Sequence, residues 1–421
     1  MSGPESISDL SRRRLLTTGL GMAALTSLPL RAFAPPECNP EHDWMPPQSF
    51  LDDLPRQMQA LGVPAIGMAV VERGRLSWSV VTGVLHAQHK TPANSDTIFE
   101  VASLSKPVFA YAVLQMVDRG LLDLDRPLVE YRRPDYLARH PWVDKITARD
   151  VLRHSSGMPN WRKDPAKEKL MPLVEPGKRI DYSGEALMWL QLVVESITDE
   201  SLDETIQRLL FQPAGMRDSS YAWSDAFAER SVYGHGTPDE MTQGMPSQML
   251  REQWSGAQKV ATGWSRPLSD WRYVDAERAL PDVQAATPAG LVNWPGDILA
   301  NSAASLRCTV QDYARFMALM VSTLSPDWAL RPATRELMLT RQINVTGRWT
   351  DKALGWNIEH THQGAMFYHS GSNGNIFKTF AMGDAARQRA LVVLTNATQG
   401  NLLYRRAVRA MTGLDLLAFD V

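Results

Sequence analysis

The chain has 421 residues, of which 44% are hydrophobic and 21% charged, the balance of an ordinary globular protein able to bury a large core. Lysine and arginine number 44 against 46 acidic residues, a formal net charge of −2, and no long basic block occurs, so nucleic acid is not an expected partner. With two cysteines and no Cys/His cluster, a structural zinc site is not expected, nor a cofactor, and no repeat of solenoid period is visible.

In chain order, residues 1–34 stand apart. Ser11-Arg12-Arg13-Arg14-Leu15-Leu16 resembles a twin-arginine export signal, the run Leu15 to Leu30 is uncharged and apolar, and Ala32-Phe33-Ala34 is an A-x-A-like cleavage site. The expectation is an exported bacterial protein, periplasmic or secreted, with no stable membrane span once the segment is removed. The apolar stretch is short for a span of ~20 residues. In an oxidising compartment Cys38 and Cys308 have the option of pairing; two separate thiols are the other reading. Residues 35–48, rich in proline and polar groups, read as a linker.

Apolar Leu51, Leu54, Met58 and Leu61 are spaced for a helix over 50–61. Val63 to Val71 reads as a buried strand, Glu72-Arg73-Gly74-Arg75 as a hairpin turn and Leu76 to Thr82 as the returning strand. Next, Phe99-Glu100-Val101-Ala102-Ser103-Leu104-Ser105-Lys106-Pro107 reads as an extended segment entering a helix. Pro107 suits a first turn, where its missing N–H costs nothing. The apolar run through Met116 is long enough for full burial. Ser103 and Lys106, three apart, share one helix face, which sets a hydroxyl beside an amine able to take its proton. Lys106 is the only lysine in the chain with a serine three residues before it.

From 122 to 299 helical segments alternate with proline- and tryptophan-containing loops. Thr147 and Asp150 have the spacing of a capping box. Tyr182-Ser183-Gly184 precedes a helix predicted over 184–198, and a tyrosine aimed at a serine serves as a base where cations lower its pKa from ~10. Residues 225–295, heavy in Trp, Pro and Gly, read as long loops over a cleft. After Ala303 a helix is predicted from Thr309 to Leu324. Four strand candidates follow, at 354–358, 365–369, 377–382 and 390–395, and a helix over 402–411. Sheet at both ends with helices between implies an α+β architecture: residues 49–121 and 300–421 share one antiparallel sheet, and 122–299 form an inserted, mostly helical domain. The active site belongs where the two meet. There the strand end His369-Ser370-Gly371-Ser372 offers backbone N–H donors, and Gly371 permits close approach to the main chain.

Ser-x-x-Lys at 103, Tyr at 182 and His-Ser-Gly at 369 occur in the order of the serine β-lactamase and penicillin-binding-protein superfamily, which the chain resembles, above all the class C β-lactamase-like hydrolases and esterases. Supporting segments are Leu152-Arg153-His154-Ser155-Ser156-Gly157-Met158, Glu175-Pro176-Gly177 before Tyr182-Ser183, Ala303 to Thr309 with Asp312-Tyr313-Ala314-Arg315-Phe316, and Val392-Val393-Leu394-Thr395-Asn396. Coverage runs from about residue 50 to 412. The resemblance implies a β-lactamase-like fold with a five-stranded-type antiparallel sheet flanked by helices. It also implies acyl transfer through a covalent intermediate: Ser103 as nucleophile, Lys106 with Tyr182 handling its proton, and the N–H groups of Ser103 and Ser372 as oxyanion hole. His369, Gly371 and Gly184 would contact substrate.

Two departures stand out. Gly184 replaces the asparagine of the usual Y-x-N, and His369 the lysine of K-T-G, so a permanent cation becomes an imidazole that is mostly neutral at pH 7. Both favour a small ester, amide or peptide over efficient penicillin hydrolysis. Two other readings compete: a catalytically silent domain that binds a β-lactam or peptide, and a metal hydrolase using His360 and His362 of Glu359-His360-Thr361-His362, a segment that otherwise reads as a polar hairpin. His154 is a further candidate base, or part of a structural loop. The composition is silent on oligomeric state.

Overall fold

The computed structural model describes residues 43–165, 167–223, 225–236, 245–290, 299–344 and 350–419. The export segment, Cys38 and most of the linker lie outside the described residues; Cys308 is buried as a free thiol.

The strands are β1 (Ala65–Glu72), β2 (Arg75–Gly83), β3 (Phe99–Glu100), β4 (Arg307–Cys308), β5 (Ile343–Asn344), β6 (Thr350–Lys352), β7 (Asn357–Thr361), β8 (Gly364–Asn373), β9 (Phe377–Asp384) and β10 (Arg389–Thr395). The longer helices, numbered in chain order, are α1 (Gln48–Leu61), α2 (Ser105–Asp118), α3 (Gly184–Thr198), α4 (Met245–Trp264), α5 (Tyr273–Ala286), α6 (Val310–Val321) and α7 (Gly400–Thr412).

Eight strands form one antiparallel sheet in the order β2-β1-β10-β9-β8-β7-β6-β5. The expected five-stranded core is β2 through β8, and β7, β6 and β5 extend it. The sheet carries a core on each face, and the strands divide between them by period two. Ala65, Ala69 and Val71 of β1 face one core; Ile66, Met68 and Val70 face the other. Val392 and Leu394 of β10 likewise oppose Leu391 and Val393. Two covered faces require a continuous apolar run, which is why these strands show no polar alternation in sequence. The outer core is closed by α1 and α7, whose Leu54, Met58, Leu403 and Val408 lie in it. The inner core contains nearly all of α2, with Tyr111 edge-on to Phe316 of α6 at 5.7 Å. The β1–β2 turn holds Arg73 and Gly74 at φ of 52° and 68°, the left-handed geometry a tight hairpin demands.

One reading is corrected. Residues 225–295 are not chiefly long loops: α4 and α5 supply 20 and 14 residues of helix. Their shared core is built from Trp254, Ala257 and Ala261 against Tyr273, Ala276, Ala279 and Val283. Alanine at helical spacing is a strong helix former but a weak hydrophobic marker, so the surrounding Trp, Pro and Gly masked it. Residues 237–244 and 291–298 lie outside the described residues. The candidate strand at 354–358 begins only at Asn357, because Gly355 turns at φ 82° to pass close over α2, where a Cβ would lie 2.7 Å from Ala110.

Candidate active site

The inner face of the sheet and the start of α2 converge on one point. Period two places Phe367, His369 and Gly371 of β8 on the inner face. β7 pairs with β8 as far as Tyr368; beyond it, His369 to Asn373 pair with β9. The site end of β8 is therefore flanked on one side only among the described strands.

Ser103 occupies a 3₁₀ turn, Ala102–Leu104, that leads straight into α2. Ala102 has φ 53°, an uncommon conformation for a residue with a Cβ, and it is over-determined by its surroundings. The Val101 carbonyl accepts from Thr379 Oγ1 at 2.8 Å, the Leu104 carbonyl from Tyr313 Oη at 2.9 Å and the Ser105 carbonyl from Tyr221 Oη at 2.6 Å. Ser105 Oγ donates to the Ala102 carbonyl at 2.6 Å and accepts from Leu306 N–H at 3.0 Å. Gly371 faces this turn. A Cβ there would lie 2.2 Å from Thr379 Oγ1 and 2.6 Å from the Val101 carbonyl. Its glycine is required by the fit of β8 against the serine turn, a tighter reason than room for a substrate.

Two groups reach Ser103 Oγ: Tyr182 Oη donates at 2.7 Å and Lys106 Nζ at 3.0 Å. Lys106 is 3% exposed. Its Nζ also donates to the Ala303 carbonyl at 2.7 Å and lies 4.6 Å from the centre of the Tyr182 ring. Burial first, and then the charge of Lys352, hold its pKa down to about 7, so the amine changes charge near neutral pH. Tyr182 is 37% exposed as a whole, with its hydroxyl end in the site; burial of that end pushes the phenol up to about 12, against a smaller opposing effect of the Ser103 hydrogen bond. The tyrosine is consequently neutral at pH 7, and the cation expected to activate it does not do so.

His154 stacks on the Tyr182 ring at 4.4 Å, is buried, and accepts from Ser183 N–H through Nδ1 at 3.3 Å. Burial, Lys352 and Lys106 keep it neutral, and its φ of 57° fixes it as the wall of the tyrosine loop. His369 is also buried, its Nδ1 2.7 Å from the Ser370 carbonyl, and burial together with Lys106 and Lys352 lowers its pKa to about 3. Ser372, which follows Gly371 on this strand, accepts at Oγ from Lys378 Nζ at 2.9 Å. Asn373 ties the strand end to the serine side: its Nδ2 donates to Glu100 Oε1 at 2.5 Å and to the Ala304 carbonyl at 3.0 Å, and Glu100 pairs with buried Arg307.

Gly184 opens α3 two residues after Tyr182. A Cβ at 184 would lie 2.2 Å from Cζ2 of Trp161, so an indole fills the space an asparagine side chain would need. Three features of the site escaped the sequence. Lys352 comes from the short strand β6, engages Asn357, and acts electrostatically on Lys106, His154 and His369. The Ala303 carbonyl and Trp161 arrive from loops without regular spacing. By contrast His360 and His362 are not brought to the site as a pair: His360 Nε2 contacts Asp351 at 3.0 Å, His362 is exposed, and no group of three metal-ligating side chains exists among the described residues.

The order of elements and the Ser-Lys-Tyr cluster are those of a β-lactamase-like fold, and the comparisons agree. Residues 51–413 match the Beta-lactamase family, and the chain belongs to it. Among curated proteins it is 28% identical over 219 residues to Esterase EstB of Burkholderia gladioli, covering 45% of this chain and 55% of that one. It is 30% identical over 124 residues to the mitochondrial serine beta-lactamase-like protein LACTB of Homo sapiens, covering 29% of this chain and 22% of that one. The chain thus spans about half the length of the first relative and less of the second. Among solved structures, the octameric penicillin-binding protein homologue of Pyrococcus abyssi superposes with TM-score 0.63 at 18% identity, over 86% of this chain and 76% of that one. The class C beta lactamase of Rhodobacter sphaeroides superposes with TM-score 0.60 at 16% identity, over 88% and 99%.

Proposed function

We propose that the protein is a serine hydrolase that acts through a covalent acyl-enzyme on a small ester, amide or lactam, with esters favoured. The observation that carries this reading is the convergence of Tyr182 Oη and Lys106 Nζ on Ser103 Oγ at 2.7 and 3.0 Å. With its pKa at about 7, Lys106 is neutral in a large fraction of molecules at neutral pH. In that state the Lys106 contact reverses: Ser103 donates its proton to the amine as Oγ attacks the carbonyl carbon. The bond from the carbonyl carbon to the leaving oxygen then breaks; that oxygen takes a proton from Tyr182 Oη, and the Lys106 ammonium returns the serine proton to the phenolate, leaving both groups as they began. Water repeats the sequence to release the acid. The N–H groups of Ser103 and Ser372 receive the oxyanion; loss of one such donor typically costs ~10²–10³ in rate. Neutral His369 supplies no fixed cation for a substrate carboxylate, which favours an uncharged ester over a penicillin.

The test is mass spectrometry of the protein after a small fluorophosphonate, in the parent and in Ser103→Ala. An adduct on the Ser103 peptide that disappears in the variant is expected; undiminished labelling of the variant would sink the assignment. An adduct or lactam complex without any turnover supports the competing reading, a binding or sensor domain. We further infer export from the Arg12–Arg14 segment, tested by fractionating cells that express the full chain and its Arg12→Lys, Arg13→Lys variant.

A further inference from the structure

Trp161 holds an unusual position for a large apolar side chain. It is 43% exposed, yet its ring is pressed against the backbone of Gly184: Cζ2, Cη2 and Cε2 lie 2.2, 2.5 and 2.6 Å from where a Cβ would stand. Both of its sequence neighbours are fixed. The Asn160 carbonyl accepts from Gly184 N–H at 3.1 Å and from Glu185 N–H at 3.0 Å, and Asn160 Oδ1 accepts from Gly184 N–H at 3.0 Å. Arg162 grips Glu185 with two hydrogen bonds, at 2.8 and 3.1 Å, in an ion pair whose side chains are 2% and 1% exposed. Its own N–H donates to the same carboxylate at 3.0 Å. An exposed indole is thus held rigidly at the N-terminal end of α3, two residues from the tyrosine that touches the nucleophile.

The segment around it carries both charged and apolar groups at its surface: Lys163, Lys167, Glu168, Lys169, Lys178 and Arg179 are exposed as well. Of the ten large hydrophobic side chains exposed among the described residues, four fall between 161 and 182: Trp161, Met171, Leu173 and Tyr182. Leu173 is held beside the tyrosine loop, where its N–H donates to the Gly157 carbonyl at 2.7 Å, while Gly177 N–H donates to the Ser155 carbonyl at 2.7 Å, next to His154. A pre-set aromatic face costs little ordering entropy when a ligand covers it. Neutral His154 and neutral His369 add no charge of their own here; the nearby cations are Lys352 and Lys106, toward the nucleophile.

We infer that Trp161, seated in the Gly184 notch, is the specificity-determining platform of this site and selects substrates with an apolar, extended acyl group. The inference rests on the serine-hydrolase reading above. The ring excludes any side chain at 184 and presents hydrocarbon where a polar recognition group would otherwise reach the substrate.

The experiment is a kcat/KM profile on p-nitrophenyl esters from acetate to decanoate, for the parent, Trp161→Ala, Trp161→Phe and Gly184→Asn, with fluorophosphonate labelling of Ser103 run in parallel. In the parent, kcat/KM is expected to rise with acyl length. In Trp161→Ala the loss grows with chain length, reaching on the order of tenfold at the long end, the size expected for uncovering an aromatic contact. Trp161→Phe keeps the slope, and Gly184→Asn, which displaces the ring, flattens it. The inference is overturned by a parent profile that does not rise with length, by an undiminished slope in Trp161→Ala, or by a loss equal for all esters, which would mean a purely structural role. Absence of Ser103 labelling in the parent removes the hydrolase reading itself; labelling with a flat profile removes only the role of Trp161.

Discussion

The two banks of the cleft differ in kind. On the α2 bank, Ser103, Lys106 and Tyr182 form a connected polar cluster in which one group, Lys106, is poised to change charge near neutrality. On the β8 bank, the corresponding ionisable residue, His369, is as deeply buried but held neutral down to a pKa of about 3, and its Nδ1 is occupied by the neighbouring Ser370 carbonyl. Burial disfavours charge on both banks. The ordinary pKa of each group decides the result, because lysine starts near 10.5 and falls to the working range, whereas histidine starts at 6.5 and falls out of it. The group able to change charge near neutrality therefore lies on one bank, and the other presents a neutral imidazole and backbone.

The largest effect is expected from making the α2 bank permanently charged. Lys106→Arg should lower kcat/KM by ~10²–10⁴ on any ester the parent accepts, since a guanidinium cannot take a proton. In the parent, kcat/KM should rise with pH through about 7 as Lys106 loses its proton, and should show no inflection from His369 above pH 5. A profile that instead falls through pH 7 breaks the assignment of Lys106 as base. On the β8 bank, Gly371→Ala should reduce kcat/KM by ~10²–10³, comparable to loss of an oxyanion donor, because the added carbon forces β8 away from the Val101 carbonyl. Its adduct yield at Ser103 separates a misplaced oxyanion site from an unfolded protein.

Removing Arg162 leaves Glu185 charged and buried without its partner, so Arg162→Met should cost ~3–5 kcal/mol in urea unfolding. His369→Lys adds a second cation beside Lys106 and should move the rise of the pH profile below 7, in the same direction as the existing effect of Lys352. The smallest effects belong to the His360 hairpin: a chelator should leave ester hydrolysis unchanged, and His360→Ala should shift stability by no more than ~0.5 kcal/mol. Activity that a chelator abolishes and zinc restores would revive the metal reading.

Much of this bank-by-bank organisation is legible in the residues. Pro107 at the opening of an apolar run marks α2, and the Ser103–Lys106 spacing survives as a direct contact because helix pitch converts it into proximity. Thr147 and Asp150 cap their helix reciprocally, as their spacing indicates. The apolar runs of β1, β9 and β10 announce strands covered on both faces. Such features are local, since the physics that produces them acts within a few residues.

What only the tertiary structure decided concerns charge and volume at long sequence separation. That Lys106 rather than Tyr182 titrates near pH 7 follows from burial and from Lys352, 246 positions away on a three-residue strand with no pattern of its own. That Gly371 must be glycine follows from the Val101 carbonyl opposite it. That Gly184 is a seat for Trp161 rather than a missing amide follows from the Arg162–Glu185 pair that fixes the loop. The sequence by itself singled out Ser103, Lys106 and Tyr182, which the fold brings into hydrogen-bond contact. Packing determined which of them is charged and what the site leaves room for, because desolvation and steric fit are properties of the assembled interior.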